Sequence, residues 1–464
     1  MNARFAKVLG LILALALVLS GCNLIEVDVA MQADEDIARL DKAYSATVAT
    51  YDGGVVTADD VLGDFTNIYT QTYYMYQYYF GYSLTADDVH YIMEDSINEF
   101  VRSAIVAEHF DETMELTEEE LAEAETLAQE QYDSAYASAL SAAEGKTDEA
   151  REANARVMLR QDGMTYEAIY ASQLRSMKVT KMEQSLRDAV TEVSDEELQA
   201  AYEAKIAEDE ETYTDGRSFE SDMTGDSAIV CWMPEGYRTV KHILLIPEDE
   251  LMSAYSAAVS TLATAQSALD GYQAEMDALN DDDATEGQRS AEEIQADIAT
   301  AEADVSSARS AVETAAQACL DSVKDKTDAI YARLEAGEDF DALIAEYGED
   351  PGMQNEPTSS RGYYVSAAYT NWEVNFRDAA MALENVGDYT LEPVISGSGV
   401  HIIRYESDVT AGPVALDEVR DALYAETLTA LQEANVTDTI DAWVAERNVS
   451  VDADAFEAAY TGEE

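Results

Sequence analysis

Apolar positions recur along this chain at helical spacing for most of its length. Leu62, Phe65, Tyr69, Tyr73, Tyr76 and Phe80 fall three or four residues apart and form one helical face. Ile92, Ile97, Val101 and Ile105 form a second. Thr57 and Thr85 each stand three residues before an aspartate, which marks two helix starts. Further helices are predicted from "LTEEELAEAETLAQEQYDSAYASAL", "TYEAIYASQLRSMKVTKMEQSLRDAV" and "VSDEELQAAYEA", the last capped by Ser194. Residues 208–236 are polar and Gly-containing and read as loop, with a short strand at "SAIVCWM".

From Leu251 to Leu279, and again from Ile294 to Cys319, the spacing alternates between four and three without a break. "NDDDATEG" separates the two runs. Two heptad arms of matched length around a turn predict an antiparallel helical hairpin with arms of about 40–45 Å at ~1.5 Å per residue. Beyond it the pattern predicts a helix over "KTDAIYARLEAGEDFDALIAEYG", a loop, a short helix at "NFRDAAMALE" and strands at "LEPVIS" and "GVHIIRY". Two final helices follow, "ALDEVRDALYAETLTALQEA" and "VTDTIDAWVAER".

Charge narrows the function. The chain has 95 Asp+Glu against 27 Lys+Arg, a net charge of −68. Such a polyanion repels nucleic acid and anionic lipid head groups alike. Attachment to a membrane therefore needs another device, and the N-terminus offers one. Arg4 and Lys7 precede the apolar run "VLGLILALALVL", and "LSGC" ends it. Twelve residues span about 18 Å as a helix, too short to cross a bilayer, so the run reads as a signal peptide. Leu19-Ser20-Gly21-Cys22 resembles the lipobox of bacterial lipoproteins. That resemblance implies lipidation at Cys22, removal of residues 1–21, and an extracytoplasmic, lipid-anchored protein on the outer face of a bacterial cell membrane. Cys231 and Cys319 read as two separate free thiols.

Two of the four histidines sit in similar apolar strands, "TVKHILLIP" and "GSGVHIIRY", about 160 residues apart. Together with "RLEAGEDFDALIAEYGED", "NFRDAAMAL" and "LEPVISGSGVHII", in this order, they resemble the parvulin family of peptidyl-prolyl isomerases. The resemblance implies an α+β chain. A parvulin domain, 239–408, has a four-stranded antiparallel sheet with surrounding helices and is interrupted by the hairpin, 249–324. It is flanked by a tether, 22–50, a helical N-terminal domain, 51–238, and a C-terminal helical segment, 409–464, packing on that domain. The order also resembles that of PrsA-type foldases and SurA-type chaperones.

The resemblance further implies that the first and last strands are sheet neighbours, bringing His242 and His401 together. Asp350 matches a position held by Cys or Asp in the family, with an electrostatic or hydrogen-bonding role. Phe376 matches the aromatic wall of the proline pocket, Trp372 falls where Met is frequent, and Ser396 where Thr or Ser stands; Met381 and Tyr364 are placed along the same cleft. The family's Gly-rich stretch reads "SRGYYV" here and keeps only Gly362. No cofactor or metal is implied. The implied partners are unfolded or folding exported polypeptides with X–Pro bonds and the membrane, through Cys22. A homodimer and a docking partner for the hairpin stay open. The expected function is a prolyl isomerase and foldase; the alternative is a chaperone with little or no catalysis. The Tyr-rich stretch "YTQTYYMYQYYFGY" reads equally as interhelix packing and as a surface for unfolded chains.

Overall fold

The structure is a computed structural model that describes residues 29–215, 217–224, 228–280, 289–368 and 371–462. The signal and lipobox readings, Cys22 included, lie outside the described residues, as does the turn of the hairpin. The chain divides into two compact units. One comprises Met1–Glu192 with Glu426–Glu464, the other Val193–Ala425. Among the described residues, no helix is long and apolar enough to cross a membrane.

In the first unit the predicted helix starts are present. Thr57 with Asp60 and Thr85 with Asp88 form reciprocal capping boxes for helices Ala58–Met75 and Ala86–Thr113. Leu62, Phe65, Ile97, Val101 and Ile105 are fully buried in one core. The stretch read as a tether instead contains helix Val29–Tyr44 and strand Thr47–Tyr51. Tyr44 and Val48 enter the same core, so a few apolar anchors outweigh the polar composition. The strand pairs with Gly54–Thr57 and, across the whole length of the chain, with Ser450–Val451.

The aromatic stripe does not stay on one face. After Met75 the helix widens into a π-helical segment, Tyr76–Phe80, closed by Gly81 in the left-handed region. Tyr69, Tyr73 and Tyr76 still pack on the core. Phe80 does not: it is 56% exposed. The wider turn advances the register beyond what a 3.6-residue period allows.

The second unit holds the hairpin and the sheet. Helices Asp249–Asn280 and Ala291–Ser322 run antiparallel: Tyr255 lies beside Cys319 at one end, and Arg289 ion-pairs with Glu275 near the other. Leu262, Ala265, Leu269, Ile294, Ile298 and Val305 fill the seam. Cys231 and Cys319 are both buried, and among the described residues neither forms a disulfide. The segment read as one helix after the hairpin is two, Lys324–Glu335 and Phe340–Tyr347. Gly337 between them takes a positive φ of 84°, and Asp339 caps the second. Residues 208–236 are less loop-like than their composition suggests. Helix Asp195–Thr212 runs into them, helix Arg217–Thr224 follows, and among the described residues only Trp232–Met233 is strand, paired with Gly412–Pro413. The two predicted C-terminal helices are one, Leu416–Ala445, because no Gly or Pro interrupts them.

The four-stranded antiparallel sheet runs Tyr363–Ser366, Tyr237–Leu245, Gly399–Asp408, Val394–Ser396 from edge to edge. Its two central strands are the two histidine strands. Each is buried on both faces, which accounts for their nearly continuous apolar text. One face carries Ile243, Leu245, Val400 and Ile402 and packs on Ile330, Phe340 and Leu343 of the two helices after the hairpin. The other carries Val240, Ile403 and both histidines and packs on helix Val374–Ala382 through Phe376 and Ala380. Burying two such faces is the main source of order here, at roughly 25 cal/mol per Å² of apolar surface. Gly362 sets the edge strand: its φ is +85°, and a Cβ there would stand 2.7 Å from the Val240 carbonyl oxygen.

Candidate functional site

Antiparallel register places His242 opposite Ile403 and Leu244 opposite His401. Side chains two apart share a face, so the histidines are diagonal neighbours. Their Nδ1 atoms are 2.9 Å apart. From this pair a single line of polar contacts runs in both directions. His242 Nε2 lies 2.8 Å from Asp350 Oδ2. His401 Nε2 lies 2.7 Å from Ser396 Oγ, which accepts the Ser398 amide at 3.0 Å. Asp350 also accepts the Gly352 amide at 3.0 Å and the Tyr363 hydroxyl at 3.0 Å.

The donors can be assigned around the carboxylate, which only accepts. His242 Nε2–H donates to Asp350, which leaves Nδ1 to accept from His401 Nδ1–H. His401 Nε2 then accepts the Ser396 hydroxyl. Every ring nitrogen is satisfied with both imidazoles neutral. Burial, opposed by Asp350, brings His401 down to about 3, so it stays neutral. Burial works to raise the Asp350 carboxyl, but the hydrogen bonds from His242, the Gly352 amide and Tyr363 outweigh it and hold it at about 2. The anion in turn pushes the Tyr363 hydroxyl up, after burial itself. The result is a fixed, polarised floor with one charge at its end.

The aromatic residues stand over this floor. Phe376 meets His242 and His401 edge-on, at ring distances of 5.3 and 5.0 Å. Trp372 lies over Phe376 at 5.0 Å and 31°, and its Nε1–H donates to the Tyr364 carbonyl at 2.8 Å. Phe376 is only 2% exposed, so the accessible aromatic wall is Trp372 with Tyr363 rather than Phe376. Met381 packs in the same cluster. Beside it opens a cleft of about 220 Å³ lined by Trp372, Tyr363, Tyr364, Arg361, Met223 and Glu220.

Of the residues singled out in the sequence, His242, Asp350, His401 and Ser396 thus make one connected chain, with Phe376, Trp372 and Met381 packed above. Tyr364 does not join the polar chain: it meets Phe219 edge-on, lies under Arg361 and lines the neighbouring cleft with Trp372. Its neighbour Tyr363 is the residue that bonds Asp350, and sequence reasoning missed it. Strand parity could have found it. Tyr363 pairs with Val240, which shares a face with His242.

Residues 305–407 match the family described as rotamase, the PPIC-type PPIase domain. No match was found among curated proteins. The crystal structure of PrsA from Bacillus subtilis is similar at 14% identity over 86% of this chain and 92% of that one, with a TM-score of 0.20. PrsA from Bacillus anthracis is similar at 11% identity over 75% and 96%, TM-score 0.17. A structure from Campylobacter jejuni work on PEB4 and Cj1289, described as SurA-like chaperones, is similar at 13% identity over 86% and 98%, TM-score 0.21. At these identities and TM-scores the likenesses carry no argument. The family match starts inside the second hairpin helix and so omits His242, whose strand pairs with Gly399–Asp408 of the matched residues. With Asp350, Phe376, Ser396 and His401 inside the match, this chain carries a parvulin-type (PPIC-type) peptidyl-prolyl isomerase domain at residues 305–407.

Proposed function

We propose that the protein is an extracytoplasmic, lipid-anchored prolyl isomerase that assists exported polypeptides as they fold. The observation that carries this reading is the unbroken chain Asp350–His242–His401–Ser396 beneath an aromatic wall. Rotation about an X–Pro bond faces a barrier of about 18–20 kcal/mol because the planar amide is conjugated. It takes tens of seconds or more unaided and limits folding. No bond to the enzyme is needed. The catalyst must hold the twisted amide better than either planar form. The aromatic wall takes the proline ring and strips water from the amide. The polarised floor faces the carbonyl as its conjugation breaks, with Asp350 acting by charge and hydrogen bonding. A retired domain kept only for binding has no need of a fully satisfied polar chain in its core, since an apolar core is simpler to build.

The test is isomerisation of a short Pro peptide. Asp350→Ala is expected to lower turnover at least ~10-fold, a loss of roughly 1.4 kcal/mol of transition-state stabilisation. Unchanged turnover in a variant that keeps its circular dichroism leaves the chaperone reading in its place. Anchoring is tested separately. Cys22→Ala is expected to abolish fatty-acid labelling of the protein in cells, and persistent labelling removes the lipoprotein reading.

A further inference from the structure

The largest feature the isomerase site does not use is the aromatic end of helix Ala58–Met75 and its π-helical extension. From Phe65 to Ala86 the chain holds no charged residue, although its net charge is −68. Asp64 bounds the stretch on one side and Asp87 and Asp88 on the other. The core takes up Tyr69, Tyr73 and Tyr76. The rest stays in water: Tyr78 is 85% exposed and Tyr79 74%, with Tyr74, Phe80 and Tyr82 also exposed. Tyr91, on the next helix, is exposed as well.

These rings are held in place. Tyr78 and Tyr79 meet edge-on at 5.2 Å, and Phe80 stacks with Tyr82 at 6.2 Å. Gln77 Nε2–H donates to Ser83 Oγ at 2.9 Å and ties the turn to the loop after it. None of the π-helical residues is fully buried, and past Tyr76 the rings of Tyr78, Tyr79 and Phe80 face water rather than the core. A π-helical segment within a helix is uncommon and frequently marks a functional site. Exposed aromatic patches of this kind mark interaction surfaces.

Charge decides among the occupants. A second copy of this chain brings another −68, an anionic bilayer is repelled, and nucleic acid is excluded on the same ground. A cationic polypeptide is drawn in. Tyrosine faces hold Lys and Arg by cation–π contact, offer rigid contact area at little entropic cost, and accept proline rings of extended segments. We propose that this patch docks extended, Lys/Arg-bearing, proline-containing segments of unfolded polypeptide. The proposal rests on the reading of the chain as acting on unfolded exported proteins, and it assigns their holding to a surface other than the isomerase cleft.

The experiment uses the full chain and two fluorescein-labelled peptides, one of Lys-Pro-Leu-Ser repeats and one of Glu-Pro-Leu-Ser repeats, with binding read by anisotropy at two salt concentrations. The Lys peptide is expected to bind, more weakly as salt rises, and the Glu peptide not to bind. The joint variant Tyr74→Ser, Tyr78→Ser, Tyr79→Ser is expected to weaken the Lys peptide at least ~10-fold, while Phe at the same three positions retains it within ~3-fold. Turnover of a short Pro peptide is expected to be unchanged in both. Equal binding by the Ser variant means that acidic surface alone holds the peptide and overturns the proposal. So does equal binding of the Glu peptide. Loss of phosphatidylcholine vesicle binding in the Ser variant with peptide binding intact assigns the patch to a bilayer instead. A wild-type dimer that the Ser variant breaks in sedimentation assigns it to a second copy. If the isomerase reading fails, turnover is absent while Lys-peptide binding stays, so the two failures are distinguishable.

Discussion

The histidine sheet and the helical hairpin are both regular structures of the second unit, yet they are held together in different ways. In the hairpin each residue's partners are a few turns away or on the facing arm, and the seam is almost wholly aliphatic. In the sheet, strands 237–245 and 399–408 come from far apart in the chain, and a buried polar line crosses between them. The hairpin gains order by repetition and tolerates small changes. The sheet depends on a few groups that satisfy one another, so removing one orphans the next. Chemistry sits where long-range pairing brings unlike residues together.

Acid is the strongest way to separate the two regions. The unfolded chain protonates residue 401 near 6.5, whereas the folded one resists until about 3. Its contribution is therefore complete above 6.5 and falls as pH drops through this window, by up to ~1.4 kcal/mol per pH unit. Asp350, lowered from 3.8 to about 2, adds a further loss below 3.8. Hydrogen exchange is expected to show the sheet opening first as pH falls below 6, with the hairpin still protected. Simultaneous loss of both would break the distinction.

Trp372 offers a milder test. It covers Phe376, so it presents the ring that a proline meets. Trp372→Met is expected to lower kcat/KM on a short Pro peptide several-fold, about 1 kcal/mol of barrier. A rise would mean that Trp372 obstructs the proline ring instead of contacting it. The smallest effect is expected from the hairpin. Its base packs on the sheet, because Leu320 and Val323 lie in the core under it. Replacing 258–316 by a short Gly/Ser linker keeps those residues. Turnover of a short peptide is expected to stay within ~3-fold, or about 0.7 kcal/mol, and a larger loss in a folded variant would place the arm in the catalytic machinery.

Local rules made most of the helices legible. The capping threonines and the heptads needed only neighbours in sequence, and both arms of the hairpin follow from them. The site was legible only through the ordered text around the two histidines, since strand periodicity does not say which strands pair. What escaped had a non-local cause. Choosing Tyr363 over Tyr364 requires the register against Val240. Folding of residues 29–44 requires a core built by residues as distant as Phe456. The exposure of Phe80 follows from a π-helical turn that no spacing rule anticipates.

The place of the hairpin also bears on how the domain assembles as the chain emerges. Strand Tyr237–Leu245 appears first, and its partners Tyr363–Ser366 and Gly399–Asp408 follow only after the whole arm. As a floppy connection, the stretch between Leu245 and Lys324 would add roughly 4 kcal/mol of loop-closure entropy to joining the sheet. An arm that zips up from neighbouring residues brings its own ends together before the sheet exists. The interruption then acts as a pre-closed staple, and vectorial folding meets the late strands across a short gap.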